Sequence, residues 1–307
     1  MEDCRRVPQR ARILGLILAT GLTLGGCSFA PQPSPNPGLT LLWSQAQADA
    51  RRADAPNIAE LRATQAAQIR QEALRACGHS EDGSYPATCD LEALQDAQTS
   101  ASPSPADAGP EAPEGPADLE RSAAMMLEQL VSVDADSVPL IVRQYTELVT
   151  AAQLARPATA SPVLEASEPF AAAADADSAA AAARWEYAAA YALGVAGAYL
   201  LAQSWQPQRE EHLHRARALE EAVSQAHRHH TSDSAAPALG AAGYEFTDYP
   251  TPHDAASAQE MIAALDADTA AMWLATAATA EGGPLRRMAA IAASFGPLPD
   301  NAAQSPG

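Results

Sequence analysis

The sequence predicts an all-α protein, with a helical bundle near its C-terminus preceded by additional helices and flexible linkers. Three observations predict it. Apolar residues recur at three- and four-residue spacing over long stretches, which aligns them on one helix face. Strand-like alternation is essentially missing. Proline, glycine and serine gather into a few segments between the periodic runs.

The chain opens with a basic leader carrying Arg5, Arg6, Arg10 and Arg12, followed by the apolar run Ile13 to Leu24 and the small pair Gly25-Gly26. That order predicts a secretory signal peptide over residues 1–26. About a dozen apolar residues fall short of the ~20 that a spanning helix needs. Leu24-Gly25-Gly26-Cys27 resembles a bacterial lipobox, which implies that Cys27 carries lipid such as palmitate and begins the mature chain. Residues 27–38 then form a tether in which Pro31, Pro33, Pro35 and Pro37 alternate and favour extended backbone.

Residues 39–155 read as an N-terminal helical region. Leu41, Leu42, Ile58, Leu61, Ile69 and Leu74 mark helix from about Thr40 to Ala76, and Pro56 divides it into two helices or kinks one. Cys77 and Cys89 flank an acidic loop around His79. In an exported protein they are expected to pair, and closing so short a loop contributes about 3 kcal/mol in the chain-entropy picture. Two cysteines and one histidine do not make a four-ligand zinc site, and the loop lacks EF-hand spacing. Asp90 caps a short helix through Leu94. A linker near 100–118 holds no apolar residue larger than Ala or Pro. Helices follow over Leu119 to Val131 and Ser137 to Leu154, with Pro139 in a first turn. A second flexible linker, rich in Pro, Ala and Ser, covers 156–177.

Residues 178–300 are the best patterned. A first helix runs from about Ser178 to Gln203, where Glu186 shares a stripe with Ala190, Leu193, Gly197 and Leu200. Its carboxylate therefore faces a neighbouring helix and requires a partner or a proton. A second helix spans about Pro207 to His230. Glu211 and His214 share one face of it, while His212 heads the stripe Ala216, Leu219, Val223 and Ala226, so the two histidines point in different directions. A loop with Gly240, Gly243, Tyr244 and Tyr249-Pro250 leads to a third helix. There Ala258, Ile262, Leu265, Thr269, Met272 and Thr276 make a packing seam. Gly282-Gly283-Pro284 turns the chain into a fourth helix with Leu285, Met288, Ala292 and Phe295 on its apolar face.

The run Glu186 to Ala198, the His214-Arg215-Ala216-Arg217 step, the Tyr244 loop and the closing Leu285-Arg286-Arg287 helix resemble a ferritin-like domain family of unknown function. That family occurs in exported lipoproteins of high-GC Gram-positive bacteria, and the resemblance covers about residues 179–300. It implies a ferritin-like four-helix bundle and supplies no reaction. Ferritin-like di-iron sites take a Glu from each of two helices and a Glu-x-x-His from each of the other two. Glu186 and the Glu211-x-x-His214 pair match half of that set. Asp266 is the nearest acid on the third helix, and Arg286 and Arg287 stand where the fourth would need Glu and His.

Composition narrows the function further. The chain carries a formal charge of -19, which argues against nucleic acid as a partner and leaves the lipid anchor as the membrane contact. No lysine occurs, which excludes a P-loop, a pyridoxal Schiff base and a kinase-type lysine. Neither G-x-S-x-G nor H-E-x-x-H is present. Glu186 is expected to pair with His214, Arg215 or Arg217 and so fix helix register, with Gly194 and Gly197 allowing close approach. His227, His229 and His230 complement a helix C-terminus, and Trp185, Trp205 and Trp273 are packing anchors. The resulting expectation is a lipid-anchored extracytoplasmic protein of the cell membrane, without cofactor or catalysis, that binds or supports an envelope protein partner. The alternative is an iron or manganese protein, or a metal-dependent oxidase, using Glu186, Glu211, His214 and Asp266. A third reading places an apolar ligand between the helices.

Overall fold

A computed structural model describes residues 33–80, 82–101, 116–155, 170, 172–201, 205–230, 239–241, 243–246 and 249–294. The signal peptide, Cys27, the first part of the tether and Phe295 lie outside them. The expectation of an all-α protein holds: nine α-helices and no strand are found among the described residues.

The first two helices are separate. α1 (Pro37–Arg52) is capped by Asn36, whose side chain accepts from the Gly38 and Leu39 amides, so helix begins inside the expected tether. α2 (Pro56–Cys77) starts with proline in its first turn and ends at Gly78, whose φ of 84° suits glycine alone. Cys77 is joined to Cys89 across twelve positions, with Cα atoms 6.3 Å apart. α3 (Leu91–Ala101) follows, its Ala93 amide bound to Asp90 at 3.1 Å, and it runs well past Leu94. α4 (Pro116–Gln129) and α5 (Val138–Ala155) come next, then α6 (Ala173–Gly197), α7 (Trp205–His230), α8 (Ala255–Thr279) and the short α9 (Gly283–Ala293).

Sequential helices pair as hairpins: α1 on α2, α4 on α5, α6 on α7 and α8 on α9. Further contacts join the hairpins, α1 to α4, α5 to α8 and α9, and α6 to α8. One buried apolar cluster accordingly runs from Leu39, Trp43 and Ile69 through Met126, Ile141 and Leu148 to Leu219, Trp273 and Leu285. The N-terminal helices thus share a core with the C-terminal ones. Phe170, within the stretch expected to be a linker, is part of that core at 1% exposure, and α6 begins at Ala173.

Buried polar groups hold these elements in place. Asp175 is buried and accepts from the amides of Glu281 and Gly282 at 2.9 and 2.8 Å, tying the start of α6 to the turn before α9. Arg286 donates to the carbonyls of Leu130 and Ala280 at 3.0 and 2.8 Å. Asp254 and Ser257 cap α8 reciprocally, each side chain bonded to the other's backbone amide. In the first half, buried Asp49 on α1 accepts from Arg62 Nε on α2 at 2.9 Å and from Ser122 Oγ on α4 at 2.8 Å. Gln65, also buried, donates to Glu147 at 2.8 Å.

The small residues of α6 set how near α7 lies. A methyl built on Gly197 would overlap the Trp205 indole, whereas one on Gly194 would meet only Arg209 Nε, at an ordinary 3.6 Å. The two glycines therefore respond oppositely to alanine. By thermal or urea unfolding, Gly194→Ala is expected to stabilise the protein by about 0.5–1 kcal/mol through helix propensity. Gly197→Ala is expected to destabilise it by about 1–3 kcal/mol through overpacking.

Candidate functional site

Glu186 on α6 has no exposed surface, and two other helices, α7 and α8, supply its partners. Its Oε2 lies 2.5 Å from His212 Nδ1, and its Oε1 accepts from Arg215 Nε at 2.9 Å and Trp273 Nε1 at 2.6 Å. His212 and Arg215 lie one turn apart on α7 and both are buried; Trp273 on α8 is fully buried. His212 Nδ1 also lies 2.9 Å from Arg215 Nη2, so this one ring nitrogen faces both the carboxylate and the guanidinium, and the tautomer sets whether it donates or accepts. Burial alone would push the Glu186 carboxyl up. The Arg215 charge and the His212 hydrogen bond outweigh it and hold the group below the ordinary 4.5.

Beside this quartet lies a cavity of about 230 Å³ lined by residues of α7, α8 and α9. His212, Arg215 and Trp273 line it, and so belong to both the quartet and the cavity wall. Gln208, Glu211 and Asp266 add polar groups, and Ala270 and Ala292 add apolar ones. Asp266 accepts a short hydrogen bond from the Gln208 amide. Desolvation pushes its carboxyl up, against the pull of His212, Gln208 and Arg215. Thr269 is occupied, accepting from Trp185 Nε1 at 3.1 Å and donating to the Leu265 carbonyl at 2.8 Å.

The residues expected to form a metal site are therefore dispersed. Glu186 is enclosed in the quartet, Glu211 is exposed where it lines the cavity, and Asp266 forms part of the wall. His214 is exposed and does not line the cavity. Among the described residues no group of three or more His, Cys, Asp or Glu is placed to hold a metal ion. The Arg215 guanidinium on the cavity wall also opposes a cation there.

The expected pairing of Glu186 with Arg215 is present, but His212 takes the place of His214. A signal for this was available. A histidine on the same stripe as Ala216, Leu219 and Val223 is buried with them and needs a partner, by the reasoning that applies to Glu186. Trp273, read as a packing anchor, is also a hydrogen-bond donor. The Asp49 cluster went unread, although Asp49 continues the stripe of Leu42 and Ala46. The side chains of His229 and His230 lie outside the described residues.

Glu186→Gln is expected to cost about 3–5 kcal/mol near neutral pH, because it leaves the Arg215 charge buried without its counter-ion. The pH dependence has a definite sign. A carboxyl whose folded value is depressed stabilises fully above its unfolded value, and that contribution fades as pH falls through the folded one. The stability difference between wild type and Glu186→Gln should be constant above about pH 5 and shrink below the ordinary 4.5. Urea unfolding of both proteins across that range measures it; a difference that grows on acidification would refute the assignment.

Compared with family models, curated proteins and solved structures, the chain matches none, so the chemistry of this site rests on its own residues.

Proposed function

We propose that this protein is a lipid-anchored component of the extracytoplasmic face of the cell membrane, whose helical domain binds or braces an envelope partner without catalysing a reaction. The signal-peptide pattern and the Cys27 motif support the location. The reading of α6 to α9 as a ferritin-like four-helix bundle accompanies it, supported by helix order and by the pairing of α6 with α7 and α8 with α9. One observation carries the non-catalytic reading. Both oxygens of Glu186, the acid best placed for bundle-centre chemistry, are consumed by His212, Arg215 and Trp273. The carboxylate acts as a structural acceptor, and the cavity beside it is a place for binding.

A second reading, an iron or manganese protein or metal-dependent oxidase, is favoured by the fact that Glu211, His212 and Asp266 all line that cavity. Elemental analysis separates the two. The chain purified without chelator or affinity tag, then incubated with iron or manganese, is expected to retain well under one ion per molecule. Retention of about one ion, lost on Glu211→Ala with Asp266→Ala, would replace the binding reading with the metal one. Location has its own test: Cys27→Ser is expected to move the protein from the membrane fraction to the soluble one. Unchanged membrane association would reject the anchor.

A further inference from the structure

Aromatic residues make up only 5% of the chain, yet five of them meet on one side of the helical domain. Trp185 and Tyr191 come from α6, and Tyr244, Phe246 and Tyr249 from the segment that precedes α8. Tyr244 and Phe246 have ring centroids 6.5 Å apart, Phe246 meets Tyr249 edge-on at 6.1 Å, and Tyr191 packs on Tyr244 and Phe246 at 5.7 and 6.0 Å. The rings do not close on one another completely. A pocket of about 180 Å³ remains, lined by Trp185, Tyr244, Phe246 and Tyr249 together with Glu245 and Leu265. The α6 wall is formed by Ala188 and Ala189, whose short side chains leave the space open.

We propose that this pocket is a binding site for a quaternary ammonium cation. The proposal is independent of the cavity beside Glu186. The polar handles of the rings are already committed: Trp185 Nε1 donates to Thr269, and the Tyr249 hydroxyl donates to Asp268 at 2.6 Å. The Tyr244 hydroxyl accepts from the Ala241 amide at 3.0 Å. What the rings offer a ligand is therefore apolar and π surface, which attracts cations through the negative potential of the ring face. The carboxylate behind Tyr249 draws on its phenolic proton and makes that ring richer in electrons. Glu245 supplies a formal negative charge in the lining itself, and no basic side chain lines the pocket. A quaternary ammonium fits these properties because it combines a positive charge with methyl groups and has no N–H that would need an acceptor. A primary ammonium or guanidinium could direct only some of its N–H donors to the single Glu245 carboxylate and would turn the rest against ring carbon. A neutral apolar molecule would ignore Glu245.

Choline and its neutral isostere, in which a tert-butyl group replaces the trimethylammonium, are the probes, titrated into the full chain by calorimetry and tryptophan fluorescence. Choline is expected to bind saturably, at least about tenfold more tightly than the isostere. Glu245→Gln, at an exposed position, should weaken choline about fivefold and leave the isostere unchanged. Phe246→Leu keeps apolar bulk but removes the π face; it should weaken choline and spare the isostere, with unaltered melting confirming the fold. Equal affinity for the two probes, or no saturable choline signal up to about 50 mM, would overturn the proposal.

Discussion

A carboxylate buried inside a helical protein needs donors on its oxygens, and this chain meets that need twice with similar parts. Asp49 on α1 is met by Arg62 from the returning helix α2 and by the neutral donor Ser122 from α4. Glu186 on α6 is met by Arg215 from the returning helix α7 and by the neutral donor Trp273 from α8. In each case an acid on the first helix of a hairpin takes an arginine from the second and a neutral group from the next hairpin. Sliding either hairpin by one turn, about 5.4 Å, would leave a buried charge without its partner. The ion pairs thereby pin helix registers that the alanine-rich surfaces alone would leave degenerate, since one alanine stripe packs much like the next.

The small side chains explain why such pinning is needed. α6 buries Ala179, Ala182, Ala183, Ala189, Ala190 and Ala196, which allow close approach of α7 and α8 but interlock weakly. Large anchors are few, and they sit where helices from different hairpins meet: Trp43, Phe170 and Trp273 are all buried in the shared core. Asp175 and Arg286 add hydrogen bonds at the ends of the helices, where side-chain packing thins out. Stability is thus distributed between a core of modest side chains and a handful of buried polar groups.

Much of this was legible in the sequence, because helical periodicity and punctuation are local properties. A break at Pro56 is legible, although a kink fits the sequence as well as a division, and so are the pairing of Cys77 with Cys89 from their isolation and the burial of Glu186 from its stripe. The losses were non-local. Phe170 lies in a segment of linker composition and is ordered by a core built from distant helices. Asp175 looks like a solvated acid until the turn at Glu281 and Gly282 brings it two amides. Helix spacing groups Glu211 with His214, yet of the two only Glu211 lines the cavity. Which face of α7 turns toward Glu186 depends on how the two helices rotate against each other, and the apolar stripe headed by His212 decides it.

The same constraint separates the two candidate sites. The cavity beside Glu186 shares His212, Arg215 and Trp273 with a structural quartet, so a ligand there competes with, or depends on, groups the fold already requires. The aromatic pocket borrows nothing from that quartet. Its rings stand on α6 and on a segment outside the helices, and Thr269 links the regions by accepting from Trp185 while lining the cavity. Change at the cavity is therefore coupled to the quartet, whereas change at Phe246 or Tyr249 is felt by the separate apolar cluster of Leu193, Met261 and Leu265 against which those rings pack. The two places thus draw on different parts of the scaffold, the cavity on its buried polar groups and the aromatic pocket on its apolar packing.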